Sequence, residues 1–279
     1  MTTLPAPMIP DLLILGAQKC GTTSLAMALG SHPDVFIPGA KEAQHYGFVP
    51  DDEVGGESYR RFFRGRRGER LVGEATPEYL HRAASQRQIT ANLPDVKAIV
   101  MLRNPVDRAY SAFNHGIRFG AFGSSFEDAL ADEPRLVAEG SWGFTPLVSM
   151  GRYATHLRRY LDGGLDRSRL HVILFDDLQT DPTTVLVGVQ DFLGLDVVVR
   201  ELPVANQARR SFLPVRVRKR LADNRRRSQI ARLAFEASLR SSTPPPMNSE
   251  TRSRLVETFA GPNEELSVLI GRDLSGWNK

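Results

Sequence analysis

The sequence predicts an α/β fold, a parallel sheet with helices packed on both of its faces. Three observations carry that prediction. Short apolar runs at 12–15, 98–102 and 170–175 read as strands buried on both sides. Segments of helical pattern separate them. Strand and helix therefore alternate along the chain, the order that parallel βαβ units produce.

Each element has its own signal. The first ten residues, three of them proline, read as a loose arm, and residues 11–279 as a single domain long enough to bury a sizeable core. Residues 11–16 (DLLILG) form the first strand, ending in glycine. A helix follows over 22–29, stopped at Gly30 and by His32-Pro33. Residues 71–74 make a short strand, with a helix expected from about Pro77 to Asn92. After the strand at 98–102, Pro105 suits the first turn of a helix that runs to about Phe119. Residues 152–161 are helical by pattern, 170–175 are the third strand, and a helix over 182–193 ends at Gly194. The prolines at 244–246 break the chain before a last helix expected to be capped by Ser249.

Composition narrows the function classes. With 41% hydrophobic and 24% charged residues, the chain is neither collagen, nor a mucin-like stalk, nor wholly disordered. No apolar run approaches the roughly 20 residues that span a bilayer, so no integral membrane segment is expected. The short apolar stretch near residue 12 lacks a basic flank, so no signal peptide is expected either. A single cysteine, Cys20, excludes an internal disulfide framework and a thiolate metal cage, and a cytoplasmic location is the default expectation. The net charge is only +4, but basic residues crowd between Arg209 and Arg227. Taken alone that run reads as a solvated helix face; a nucleic-acid patch and the wall of an anion pocket are the competing readings. No nucleic-acid-binding signature accompanies it, so no nucleic-acid partner is expected.

Two loops sit where such sheets bind ligands, at the carboxyl ends of strands. In the first, Gly16 and Gly21 bracket four residues between a strand and a helix. Such a turn points backbone N–H groups inward, and the helix beginning near Thr22 adds its positive end. Lys19 supplies a mobile charge, and Thr22, Thr23 and Ser24 supply hydroxyls. This is a phosphate cradle; the competing reading is a tight turn with a surface lysine. It is not the nucleoside-triphosphatase pattern GxxxxGK[ST], because Lys19 precedes Gly21 and Thr22 stands where that lysine would be. In the second loop, Arg103 follows the strand at 98–102, and Ser111, two turns along the next helix, reaches the same side. Arginine with serine makes a second phosphate-oxygen site, against which stands an ion pair of Arg103 with Asp107. Arg108 is expected to face solvent or a carboxylate.

Beyond these loops the chain resembles the sulfotransferases that use 3′-phosphoadenylyl sulfate (PAPS), in the bacterial and Golgi carbohydrate-type branch that includes heparan sulfate N- and 3-O-sulfotransferases. Residues 16–24 resemble that family's 5′-phosphosulfate loop and residues 100–111 its 3′-phosphate motif. Residues 41–46 (KEAQHY) resemble the stretch carrying the catalytic glutamate, and 73–77 (GEATP) the next strand and turn. Later landmarks at 151–153, 175–182, 192–195, 206–214 and 266–277 extend the likeness over nearly the whole chain. The resemblance implies a P-loop NTPase-like fold, PAPS as donor, PAP as product, and no metal. It implies that Lys19 contacts the bridging oxygen and 5′ phosphate, and that Gln18, Cys20, Gly21, Thr22, Thr23 and Ser24 complete the cradle, Cys20 with no chemistry of its own. It implies Arg103 and Ser111 on the 3′ phosphate, with Arg209 and Arg210 as weaker candidates. Two departures stand out. Heparan-type enzymes carry a lysine where this chain has Ala75, which speaks against a heparan-like acceptor, and the commonly aromatic place after Gln44 is His45.

The resemblance makes Glu42 the general base, set against a surface pair with Lys41. His45 is the second candidate, since its ordinary pKa near 6.5 suits proton transfer. In an extended segment residues 42 and 45 would face opposite sides and would not share the task. His115 reads as a packed or acceptor-side residue. Glu74 orients Lys19 or the acceptor, or caps a turn. Residues 47–68 and 116–149, with Phe62, Phe63, Phe119, Phe126, Trp142 and Phe144, are expected to shape a cleft for a small-molecule, glycan or lipid-linked acceptor. Two other readings remain on the residues alone. One is a P-loop kinase or hydrolase, which would need Mg²⁺; the other is a basic polymer-binding module, whose binding would survive loss of Lys19.

Overall fold

The computed structural model describes residues 10–119, 121–122, 125–140, 146–199, 209–211, 214–224, 228–241 and 244–279. These fall into two compact units, one drawn from Met1–Arg103 and Tyr153–Ala205, the other from Asn104–Arg152 and Asn206–Lys279. The arm expected over residues 1–10 lies, except for Pro10, outside the described residues.

The elements run β1 (Leu12–Gly16), α1 (Thr22–Leu29), β2 (Val35–Phe36), α2 (Glu57–Phe62), β3 (Leu71–Glu74), α3 (Ala83–Asn92), β4 (Lys97–Leu102), α4 (Pro105–Phe119), α5 (Phe126–Ala138), α6 (Tyr153–Asp162), β5 (Leu170–Leu174), α7 (Phe175–Thr180), α8 (Pro182–Leu193), β6 (Arg209–Ser211), α9 (Val215–Asn224), α10 (Gln229–Ala237), β7 (Leu239–Ser241) and α11 (Ser249–Ile270). The first unit holds a five-stranded sheet in the order β2-β3-β1-β4-β5. Every neighbouring pair is parallel. The expected α/β class, a parallel sheet flanked by helices, is what the chain builds.

The strands explain themselves. All five residues of β1 are buried, and five of the six in β4. A strand covered on both faces must be apolar throughout, hence runs rather than alternation. The chain leaves β1 for β2 and β3 on one side, then crosses to β4 on the other, so the order reverses beside β1. Ligand crevices form at such a reversal. The Asp181 side chain accepts the Thr184 N–H at 3.0 Å to start α8, and Gly194, at φ 71°, ends it.

Three expectations for helices are corrected. The helix foreseen from Pro77 to Asn92 is a 3₁₀ turn over Pro77–Leu80 followed by α3, with a break at His81-Arg82. The cap of α11 is Asn248, whose Oδ1 accepts the N–H groups of Glu250 and Thr251 at 2.8 and 3.2 Å; Ser249 is already the first helical residue. Within the second unit, Arg108 is fully buried and donates to the Leu147 carbonyl, with Met150 Sδ 3.5 Å away, where solvent or a carboxylate was expected. Beside it the buried Glu133 accepts the N–H groups of Leu147, Val148 and Ser149 at 2.7–2.8 Å.

Candidate active site

The turn between β1 and α1 begins with a bond from Ala17 N–H to the Met101 carbonyl at 2.7 Å, which extends the β1–β4 pairing by one residue. The backbone then takes conformations rare outside glycine. Gly16 has φ 148°, Lys19 has φ 72° and Gly21 has φ 91°. The two glycines tolerate this; Lys19 does so against the preference of its Cβ. Such outliers gather where the surroundings over-determine a backbone for function. Gly21 occupies the N-cap of α1 with no side-chain cap, and the first helical turn carries no acidic residue. The positive end of α1 thus carries no acidic side chain of its own first turn, a start that suits an anion. Gln18, Lys19, Thr23 and Ser24 are half-buried around it, and Thr22 is buried. The Gln18 Oε1 is a buried acceptor with no partner among the described residues. Cys20 is fully buried, with its N–H given to the Ala17 carbonyl at 3.2 Å, so it belongs to the packing beneath the turn.

Arg103 leaves the end of β4, the strand hydrogen-bonded to β1. Its guanidinium lies over the Phe175 ring, 5.0 Å from the centroid, and its carbonyl accepts from Tyr153 Oη at 2.9 Å. The same Phe175 ring backs Gly21: a Cβ added there would come within 3.3 Å of it. Phe175 thus shelves Arg103 and supports the turn of Lys19, a role that sequence reading missed. Its signals were its place at the end of the third apolar run and at the start of the landmark at 175–182. Asp107, the competing partner for Arg103, is paired with Arg252 at 2.9 Å inside the second unit. Ser111 is half-buried on α4. Arg209 and Arg210 lie on β6, opposite Ser241 and Arg240 of β7. Along α9, Arg216, Lys219 and Arg220 are exposed, as a solvated face requires; Arg225, Arg226 and Arg227 lie outside the described residues.

Residues 41–47 form neither helix nor strand. The segment is not extended as supposed: Lys41 and Gln44 have φ of 47° and 49°. Its backbone is satisfied by side chains brought from far along the chain. The N–H groups of Ala43, Gln44, His45, Tyr46 and Gly47 are accepted in turn by Glu74, Thr76, Tyr79 Oη twice, and Gln88. The Tyr46 carbonyl accepts from Ser85 Oγ at 2.6 Å. Glu42, with a side chain 34% exposed, is ion-paired to Lys41, whose ammonium also donates to the Ala75 carbonyl at 3.3 Å. Glu78 stands close by, its carboxyl raised by burial and by the Glu42 charge, with one oxygen buried and unpartnered among the described residues. This second acid escaped the sequence reading, since nothing local marks it.

His45 has a different position from the one a base needs. Its ring is 4% exposed, stacks on Tyr59 at 4.1 Å, and Nε2 accepts the Gly55 N–H at 2.8 Å. Burial holds its pKa down to about 4. Of the aromatic residues expected in the acceptor cleft, Phe63 and Phe126 are buried core, and Phe119 stacks on Phe235 at 5.3 Å. His115 packs edge-on against Phe119. Trp142 and Phe144 lie outside the described residues.

Comparison with known proteins bears on this arrangement. The family model for the sulfotransferase domain matches residues 9–240. A sulfotransferase from Alicyclobacillus acidocaldarius of known crystal structure is 31% identical, covering 98% of this chain and all of that one, with a TM-score of 0.73. The human heparan sulfate glucosamine 3-O-sulfotransferase 6 is 34% identical over 69% of this chain and 54% of its own. The mouse bifunctional heparan sulfate N-deacetylase/N-sulfotransferase 4 is 30% identical over 67% of this chain, but the matched part is only 22% of that protein. No described helix is long and apolar enough to cross a membrane. A phosphate-type turn at β1, a basic residue at the neighbouring strand end and a matching family model over most of the chain lead to one conclusion: this chain belongs to the sulfotransferase family.

Proposed function

We propose that the chain transfers a sulfuryl group from PAPS to a hydroxyl or amine of a small-molecule, glycan or lipid-linked acceptor, releasing PAP. The acceptor atom forms a bond to sulfur as the bond from sulfur to the bridging phosphate oxygen breaks. The bridging oxygen leaves with the electron pair, and the acceptor's proton passes to Glu42. Lys19 stabilises the charge growing on that oxygen, while the open end of α1, with Thr22, Thr23 and Ser24, holds the 5′ phosphosulfate. Arg103 binds the 3′ phosphate, with Ser111, Arg209 and Arg210 assigned to it by resemblance. Glu42 alone takes the role of base, because the acceptor nitrogen of His45 is already engaged by Gly55. The observation carrying this reading is the left-handed Lys19 beside an uncapped helix start that has no acidic residue in its first turn.

Titration calorimetry with 3′,5′-adenosine bisphosphate tests it. Binding is expected without added divalent cation. Each charge-assisted contact contributes about 1.5–3 kcal/mol, so Lys19→Ala and Arg103→Ala should each weaken binding roughly 10- to 150-fold. Glu42→Ala should keep the affinity and lose transfer from labelled PAPS. Undiminished binding by Lys19→Ala would remove the basis of the reading.

A further inference from the structure

We propose that Glu74 is the positioning residue of the base: through two tyrosines and a threonine, its buried carboxylate sets the shape of the turn that presents Glu42. The inference rests on Glu42 acting as the base. Glu74 ends β3 and is 0% exposed. Its Oε1 accepts from Tyr59 Oη and Tyr79 Oη, both at 2.8 Å. Its Oε2 accepts from Thr76 Oγ1 at 2.7 Å and from Ala43 N–H at 3.0 Å. Four donors converge on a carboxyl that, when ionised, has acceptors and no donor.

The arrangement also has a polarity. Tyr79 and Thr76 each own one hydroxyl proton, and both protons point to Glu74. Their lone pairs are thereby turned outward. Tyr79 Oη accepts the N–H groups of His45 and Tyr46 at 2.9 and 3.3 Å, and Thr76 Oγ1 accepts that of Gln44 at 3.2 Å. With the direct bond from Ala43, one carboxylate orders four successive N–H groups immediately after Glu42. These bonds hold a segment containing two non-glycine residues of left-handed backbone, Lys41 and Gln44, with no helix or strand to support it. Burial pushes the Glu74 carboxyl up, and the bonds from Thr76, Ala43, Tyr59 and Tyr79 pull it back. The adjoining Ala75 N–H donates to the Lys41 carbonyl at 2.8 Å, pinning the start of the same turn to the end of β3.

An amide at position 74 reverses the polarity. The NH₂ of Gln must donate to a hydroxyl that itself donates now, and that hydroxyl then aims its proton at a backbone N–H. The test uses the full chain with three substitutions: Glu74→Gln, Glu74→Asp and, as a control for lost stability, Tyr160→Phe. Tyr160 Oη donates to the Tyr79 carbonyl at 2.9 Å and touches none of the turn's N–H groups. Three quantities are read: affinity for 3′,5′-adenosine bisphosphate, kcat and KM for transfer, and the pH dependence of kcat. Glu74→Gln should keep the nucleotide affinity within about threefold, lower kcat at least tenfold and displace the acid limb of the kcat profile. Glu74→Asp, still an acceptor only, should recover part of kcat, and Tyr160→Phe should lose stability while keeping kcat. Should Glu74→Gln not fold, Thr76→Val asks the same question by deleting the acceptor for Gln44 N–H, with a several-fold fall in kcat expected. An unchanged kcat and profile in Glu74→Gln, or in Thr76→Val in its place, would overturn the inference and leave Glu42 as base. Full transfer by Glu42→Ala would take away both.

Discussion

Adding one methyl group at Gly16 and, separately, at Gly21 distinguishes the two ends of the turn between β1 and α1. At Gly21 the added Cβ stands 3.2 Å from Met101 Cε and 3.3 Å from Leu178 Cδ2 and Phe175 Cε2. The first two are ends of flexible side chains that yield by a few tenths of an ångström, so the main cost is the left-handed backbone, about 1–2 kcal/mol. At Gly16 the Cβ stands 2.7 Å from the Pro77 carbonyl oxygen and 2.9 Å from Leu80 Cβ. Neither atom is a free end. Backbone strain of about 1–3 kcal/mol adds to overpacking of similar size, about 2–6 kcal/mol together. Function should follow the reverse order per unit of stability lost. Gly21→Ala disturbs the cap of α1 and should weaken nucleotide binding directly, whereas Gly16→Ala presses on the turn that carries Tyr79. Urea unfolding followed by circular dichroism, with calorimetry on the same samples, gives both quantities. The reasoning fails if Gly16→Ala unfolds within about 0.5 kcal/mol of the parent, or if Gly21→Ala is the less stable of the two.

Other expectations concern the scaffold. His45 is held near 4 by burial, against about 6.5 unfolded, so the unfolded chain binds the extra proton between those values. Stability is therefore lost as pH falls from about 6.5 to about 4, by about 3 kcal/mol. Glu74 and Glu78, raised by burial, act in the opposite sense and lose stability as pH rises through their folded values. His45→Phe removes the titration together with the acceptor for Gly55 N–H, a pH-independent offset, so the parent should lose stability relative to the variant as pH falls toward 4; parallel curves would refute the assignment. In the second unit, Glu133→Ala leaves one buried and two part-buried N–H groups without their acceptor and should cost about 2–3 kcal/mol, read as a fall in the urea midpoint. Glu133→Gln, which keeps one accepting oxygen, should cost less.

The turn between β1 and α1, proposed to hold the donor, was legible as a strand–turn–helix because its residues are contiguous. Nine consecutive residues contain both glycines, the lysine and the hydroxyls, and the flanking strand and helix are read from apolar runs and breakers. Strands β1, β4 and β5 and helices α1, α4 and α8 fall within a residue of their expected bounds for the same reason. What failed depends on partners distant in sequence or on short elements. β2 has two residues, and α5 carries Pro134 in its interior. Arg108 looked like a surface arginine until residues 147 and 150 folded over it. The geometry around Glu42 was the least legible of all. The acceptors for residues 43–47 lie 31 to 41 positions away, so no window of the sequence contains both halves of the turn.

By its resemblance to the heparan-type enzymes the chain has Ala75 where they carry a lysine, so residue 75 itself brings no charge toward Glu42, the proposed base. In the fold, the Lys41 ammonium donates to the Ala75 carbonyl while pairing with Glu42. A cation therefore stands beside residue 75 although residue 75 does not carry it. Where backbone makes a site, residue identity at each position is a fair guide to chemistry; where an irregular turn is assembled by remote side chains, the atom's place in space governs. If Glu42 is the base as proposed, the side chains that meet the acceptor beside it include Lys41 and Glu78, and residue 75 taken singly is a poor guide to its chemistry.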